Sequence, residues 1–405
     1  MIKNNLNFFN NIQKKNLDSK SIKKFTKLFP KIFSKVFTDI NSPKKTINTL
    51  NKKFNFNFEF KDLEKFKSFK TIAIIGMGGS ILGSEAVSHF LKEKINKKIY
   101  FFNDLNIEKI QNFKKKKNLN KILFFVISKS GNTVETLSNF FTLKIIKKNS
   151  KNIIIISEKK NNLLYSLSKK FNLFYVEHKN YIGGRYSVLS EVGIVPAYLM
   201  GININKLRSG TLKSLKKKTQ LFLKDSTIML SSLLSFKKIN NLIFLNYCPE
   251  LEKFLFWCQQ LIAESLGKNN KGFLPIISSV PKDHHSLLQL YLDGPKDKLF
   301  HIFSSEEKSK EKINIPKAMK ANKFLNKKNI NTVKIAQKNA LIDTFKKNKI
   351  PFREFKIKDI NEEVLGNLFT YFILETVIIG KLTTINPYNQ PAVEQVKVKT
   401  KKLLS

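Results

Sequence analysis

Cysteine is nearly absent: Cys248 and Cys258 are the only two in 405 residues. That is too few for a disulfide framework and matches no metal-binding spacing, so a reducing compartment is expected. Tryptophan occurs once and phenylalanine 36 times, which predicts a core of Phe, Ile and Leu rather than a few large anchors. Long apolar runs are also lacking. No segment approaches the roughly 20 apolar residues that cross a bilayer, and the opening MIKNNLNFFNNIQKKNLDSK has no apolar block of the secretory kind. A soluble, cytoplasmic protein with no membrane partner is the expectation. Acidic residues are the other shortage, 30 against 74 Lys and Arg, for a formal net charge of +44. Such an excess first suggests nucleic acid. The lysines are spread through every segment, however, with no RNA-recognition motif, zinc-finger spacing or basic arm beside them. Lys, Asn, Ile and Phe are abundant together, as when coding sequence drifts towards A and T. We therefore expect no nucleic-acid partner, although a positive field would still attract a phosphorylated substrate.

What is present is a rhythm of short apolar runs. Residues 1–60 have helical spacing and a turn at Asn41–Pro43, and read as a helical N-terminal arm. Over 61–203, runs at 71–75, 98–102, 122–127 and 152–157 alternate with helical stretches. A polar connecting helix spans 204–236, and over 237–405 the pattern returns with runs at 241–247, 273–277, 298–303 and 351–357. A mostly helical connection covers about 304–345, and a helical segment ends the chain. The alternation predicts an α/β protein of two doubly wound parallel-sheet domains. Ligands of such sheets sit beyond the carboxyl ends of the strands.

Two of those positions carry chemistry. After the first run comes GMGGSILG, Gly76–Gly83, whose glycines let the backbone turn tightly and approach a ligand at a helix start. It fits neither the dinucleotide pattern, since Ile81 holds the final glycine position, nor a P-loop. After the third run comes SKSGNTVET, Ser128–Thr136, in which Ser128, Ser130, Thr133 and Thr136 can each donate to a phosphate oxygen and Lys129 adds charge. A helix starting near Val134 would offer its free N–H groups. The competing reading, that Thr133 and Thr136 only cap that helix, is open at this point.

With four further motifs in order, GGRYSVLSEVG at 183–193, QQLIAESLGK at 259–268, DHHSLLQL at 283–290 and NPYNQPAVEQVK at 386–397, the chain resembles the phosphoglucose isomerases, whose two domains are both of the sugar-isomerase (SIS) type. The resemblance implies that Glu264 is the proton-transferring base and that Arg185 stabilises the enediolate. It implies that His285, rather than the adjacent His284, opens the sugar ring from a neighbouring subunit, so that activity needs a homodimer. Lys397 would assist ring opening, Gln390 would lie on the phosphate side, and Gly79 and Ser80 would contact substrate. No cofactor or metal is implied. The residues read consistently on their own terms: Leu251, Phe254, Leu255, Cys258, Leu261 and Ile262 form an apolar helix stripe, and Gln260 and Glu264 share its edge, where a carboxylate can be fixed in a partly desolvated pocket. Arg185 follows two glycines in a chain where Arg is scarce, which favours a role for its planar fork. Asn389 and Ala392 depart from the family's usual Asp and Gly. A phosphosugar isomerase of dual specificity and a non-catalytic phosphosugar sensor are the competing readings.

Overall fold

A computed structural model of the chain describes residues 6–215, 217–306, 311–316 and 323–405. Its strands are β1 (Leu6–Asn11), β2 (Thr71–Gly76), β3 (Lys98–Phe102), β4 (Ile122–Ile127), β5 (Ile153–Ser157), β6 (Phe174–Glu177), β7 (Asn241–Asn246), β8 (Leu274–Ser279), β9 (Lys298–Ser305) and β10 (Phe352–Ile357). They form two five-stranded sheets. The first has the order β3-β2-β4-β5-β6 and is parallel throughout. The second has the order β1-β10-β9-β7-β8 and is parallel except for β1, which runs against β10 with Leu6 opposite Ile357. In the first sheet the chain goes from β2 to β3 on one side and comes back to β4 on the other. The loops after β2 and β4 therefore flank a topological switch point, where open α/β sheets take ligands.

Eight helices frame these sheets and the site: α1 (Ser19–Asn41), α2 (Leu82–Phe90), α3 (Val134–Leu143), α4 (Ile204–Ser214), α5 (Lys217–Phe236), α6 (Glu252–Leu266), α7 (Glu362–Leu382) and α8 (Pro391–Leu404). Helix α7 runs through the core and packs on α1, α4, α5 and α6. Its crossing with α4 is close because both helices present glycine. A Cβ on Gly210 would lie 1.9 Å from the Glu363 carbonyl oxygen, and one on Gly366 would lie 1.9 Å from that of Leu207. Helix α6 packs on α2 and so joins the two sheets' layers at the glycine loop.

Four features differ from the sequence reading. The N-terminal arm is not all helix: β1 forms an edge strand, with Phe8 stacked 4.7 Å from Phe222 and 4.7 Å from Tyr371. Asn-rich LNFFNN carries little strand signal of its own, and its partner β10 lies near the other end of the chain. The connecting helix over 204–236 is two helices, α4 and α5, because α4 closes with Leu215 as its C-cap. Strand β6, four residues long, has no counterpart among the apolar runs. Finally, α7 is long and apolar enough to cross a membrane by length and composition, contrary to the reading that no segment approaches this; 89% of its apolar window is buried inside the protein. Of the expected 304–345 connection, Ile330–Lys347 is helical, whereas 307–310 and 317–322 lie outside the described residues.

The second sheet is fastened to α7 by a buried ion pair. Arg353, 0% exposed, donates from Nη2 to Glu375 Oε1 at 2.7 Å and to Tyr371 Oη at 2.7 Å, and from Nη1 to Glu375 Oε2 at 3.3 Å. Removing one partner of such a pair leaves an uncompensated charge in the core, which costs about 3–5 kcal/mol. Glu375→Ala should accordingly lower the chemical-denaturation midpoint far more than the double change Arg353→Met with Glu375→Leu. Equal losses for the two would show that the charge is not isolated by burial.

Candidate active site

The hydroxyl loop follows β4 for a physical reason. The strand is buried at every position, and beyond Ile127 its backbone needs partners: Ser128 N–H donates to Ile156 O at 3.0 Å, and Gly131, at φ +68°, turns back with its N–H on Ser128 O at 3.0 Å. That turn gathers three hydroxyls. Ser128 Oγ is 2.8 Å from Thr133 Oγ1 and 3.4 Å from Ser130 Oγ, and Ser130 Oγ is 3.5 Å from Thr133 Oγ1. Thr133 occupies the N-cap of α3 but makes no side-chain capping bond, so its hydroxyl serves the cluster and not the helix. Thr136, one turn on and 0% exposed, has its Oγ1 buried without a partner among the described residues. A buried hydroxyl left unpaired is unfavourable unless something else completes it.

Lys129 stands at the rim. Its Nζ donates to Asn180 O at 2.8 Å and lies 3.6 Å from Glu158 Oε1, away from the three hydroxyls. Burial first, and the charges of Lys160 and Arg185 after it, depress its pKa, while Glu158 opposes the shift. A polar cavity of about 900 Å³ opens on this outer side, lined by Asn57, Glu158, His178 and Asn180 among others, but not by the hydroxyls or Glu264.

The second centre is Arg185, 1% exposed. Its loop lies directly on the glycine turn after β2, where a Cβ on Gly79 would fall 2.2 Å from the Gly184 carbonyl carbon; only glycine allows that approach. Every guanidinium nitrogen is used. Nε donates to Ser265 Oγ at 2.7 Å, Nη1 to Glu264 Oε2 at 3.1 Å and Gln390 Oε1 at 2.7 Å, and Nη2 to the carbonyls of Pro387 at 2.7 Å and Asn389 at 3.1 Å. Glu264, 31% exposed, receives its other bond from Gln260 Nε2 at 2.9 Å on Oε1. Helix α6 delivers these groups because Phe254, Leu255, Cys258, Leu261 and Ile262, with Leu251 just before the helix, are all buried, fixing which edge carries Gln260 and Glu264. Ser80 ends the glycine turn, half-buried.

Sequence reasoning left out three members of this centre. Tyr186 Oη donates to Pro387 O at 2.9 Å and accepts from Ser265 Oγ at 2.8 Å, completing a relay to Arg185 Nε. Lys268 Nζ donates to Ser265 O at 2.9 Å and Asn386 O at 2.5 Å. Tyr186, Ser265 and Lys268 all lie inside motifs already quoted, so the signal was there. Two expected members are not brought in. His285 is exposed, and among the described residues it has no hydrogen-bonding or ion-pair partner. His284 instead turns inward, with Nε2 2.9 Å from Tyr247 Oη. Lys397 is exposed on α8, pairing with Glu394 at 2.7 Å, and α8 buries none of its residues against this chain. Of the remaining histidines, His178 and His301 are buried, whereas His89 Nδ1 lies 3.1 Å from Glu250 O.

A model of the family described as phosphoglucose isomerase matches residues 32–276. The chain belongs to the phosphoglucose isomerase family. A Methanocaldococcus jannaschii glucose-6-phosphate isomerase is 32% identical over 359 residues, covering 83% of this chain and 86% of that protein. The corresponding Campylobacter jejuni enzyme is 30% identical over 353 residues, covering 83% and 86%. Among solved structures, a hypothetical protein from Thermus thermophilus superposes with TM-score 0.80 at 22% identity, covering 96% of this chain and 99% of its own. A Chlamydia trachomatis glucose-6-phosphate isomerase superposes with TM-score 0.68 at 16% identity, covering 84% and 71%. At those identities the superpositions establish the fold, that of the sugar-isomerase domains found in phosphoglucose isomerases.

Thr136 gives this site a separable test. Thr136→Val keeps the shape and removes a hydroxyl that has no partner among the described residues, so the melting temperature should hold or rise slightly. If that hydroxyl completes a phosphate, KM for a hexose phosphate should rise about tenfold, the equivalent of about 1.4 kcal/mol. An unchanged KM would remove Thr136 from the phosphate site.

Proposed function

We propose that the chain interconverts glucose 6-phosphate and fructose 6-phosphate by ring opening and proton transfer through a cis-enediolate. The observation that carries this is a carboxylate held by two donors, Arg185 Nη1 at 3.1 Å and Gln260 Nε2 at 2.9 Å, with a cluster of hydroxyls after the strand adjoining the glycine turn. The relatives' activity with glucose 6-phosphate supports the substrate. In this reading Ser128, Ser130, Thr133 and Thr136 bind the phosphate as neutral donors, Lys129 contributes charge from the rim, Gln390 lies on the phosphate side, and Gly79, Ser80 and Gln260 contact the substrate. His285, with Lys397, opens the ring.

A Glu264 oxygen then takes the C2 proton of the open-chain aldose. The C–H electron pair becomes the C1–C2 double bond, and the carbonyl π pair moves to O1, giving an enediolate whose charge the buried Arg185 stabilises. The C2 hydroxyl proton passes to O1, and the Glu264 proton is delivered to C1 as the ketone forms at C2. Arg185 is suited to this because burial strengthens its field and its five bonds remove the need to reorganise when charge develops. A cytoplasmic homodimer acting in glycolysis and gluconeogenesis is the setting proposed, with His285 of one protomer serving the site of its partner; its exposure in the single chain is compatible with that.

The assay follows glucose 6-phosphate formation from fructose 6-phosphate, with mannose 6-phosphate in parallel to distinguish a dual-specificity enzyme. Glu264→Gln keeps size and polarity, so substrate binding should persist while kcat falls by about 10²–10⁴; a variant near wild-type kcat would remove Glu264 as the base. Mixing inactive Glu264→Gln and His285→Ala subunits should restore part of the activity, since half of the sites in a mixed dimer then receive both residues intact. Failure of the mixture, with exchange of subunits verified, would place His285 within its own protomer.

A further inference from the structure

We infer that Lys268 is a positioning residue: with Arg185 it clamps the 383–390 segment onto the end of α6, and so fixes Gln390 and the root of α8 relative to Glu264. This deepens the reading of the site given above and rests on it. The geometry begins in the six residues after α6. Asn269 and Asn270 both have positive φ, 55° and 54°, the backbone of a two-residue hairpin turn, and Lys268 and Lys271 exchange N–H···O bonds of 3.0 and 3.0 Å across it. Residues paired in this way project their side chains to one side. Both ammonium groups accordingly reach the same neighbouring segment, Lys268 to Asn386 O at 2.5 Å and Lys271 to Thr383 O at 3.4 Å. Arg185 takes the next carbonyls, Pro387 at 2.7 Å and Asn389 at 3.1 Å.

Three cations thus hold four carbonyls between Thr383 and Asn389, and the segment between them has no regular ladder of its own. Composition does not explain this. Most lysines of the chain point to solvent, whereas Lys268 Nζ also donates back to Ser265 O at 2.9 Å, next to Glu264, and so ties the segment to the helix that bears the carboxylate. The charged groups acting on Lys268 are Arg185 and Glu264. Burial, then repulsion from Arg185, lower its pKa to about 8 against the attraction of Glu264. Its two bonds to carbonyls are strongest while it is charged. Above that pH the clamp weakens.

The test compares wild type, Lys268→Met, Lys268→Arg and, for loss of a distant surface charge, Lys31→Met. Each is followed in fructose 6-phosphate turnover from pH 6.5 to 9.5 and in amide hydrogen exchange of a peptide covering 383–392. Wild type should lose kcat on the alkaline side with an apparent pKa near 8. Lys268→Met should turn over about tenfold more slowly at neutral pH with no limb near 8, and exchange 383–392 about tenfold faster at unchanged global stability. Lys268→Arg, which keeps the charge at all these pH values, should restore neutral activity and also lose the limb, and Lys31→Met should match wild type. The inference is overturned if Lys268→Met exchanges 383–392 as wild type does, or if Lys268→Arg retains the alkaline limb. The exchange readout does not depend on turnover, and Glu264→Gln should be slow at every pH with normal exchange, so failure of the base assignment is distinguishable from failure of the clamp.

Discussion

The structure around Glu264 depends on burying one guanidinium. A charge taken out of water costs several kcal/mol unless its donors are met, and Arg185 meets all of them from two segments far apart in the chain, the end of α6 and the 387–390 segment, while its own loop packs through Gly184 on Gly79 in the turn after β2. Each partner is thereby held in place for a reason unconnected with catalysis. The same bonds leave Nη1 on Glu264 and Gln390, so the arrangement that makes burial tolerable also sets the distance between the carboxylate and the cation. Mobility in any one segment would be penalised through all of them.

The hydroxyl loop works on the opposite principle. Its donors are neutral: Ser128, Ser130 and Thr133 cluster within 3.5 Å of one another, and Thr136 further along carries a buried hydroxyl with no partner among the described residues. A loop of this sort is only partly satisfied alone, and an anion with several acceptor oxygens would complete it. Charge is held back: Lys129 is engaged with Asn180 O and Glu158 instead of pointing into the hydroxyls. In the proposed reading, on a chain of net charge +44, keeping the cation at the rim leaves phosphate recognition to geometry while the wider field supplies attraction.

Much of this was legible because the signals are local. β-branched runs such as IIIIS and ILFFVI are buried at every position, and parallel strands covered on both faces must read that way. The α6 stripe is likewise its own evidence, since helical period and burial agree at each of its six positions. What was missed depends on distant partners. Strand β1 is defined by β10 and by Phe222 and Tyr371, none of which is readable from LNFFNN. The partners of Arg185 include main-chain carbonyls at 387 and 389, and a carbonyl has no sequence signature. His285 and Lys397 were singled out from resemblance alone, and within one chain they are exposed.

Arginine itself carries the clearest link from composition to structure. The chain has three, Arg185, Arg208 and Arg353, among 74 basic residues. None behaves as a surface charge. Arg185 makes five bonds, Arg353 grips Glu375 and Tyr371 while 0% exposed, and Arg208 donates to the carbonyls of Thr49, Asn51 and Leu189, with burial pulling its pKa down to about 10. A lysine ammonium is compact and strongly hydrated, and loses its proton readily when buried; a guanidinium is planar, weakly hydrated and offers five donors in a fixed fork. Where a composition is so heavily weighted to lysine, the sites at which only the fork will serve become visible as the sites that are not lysine. Lys268 marks the other side of that distinction. Its two carbonyls are within reach of a point charge, and burial lowers its pKa to about 8, so that its hold on them weakens as the pH rises past that value.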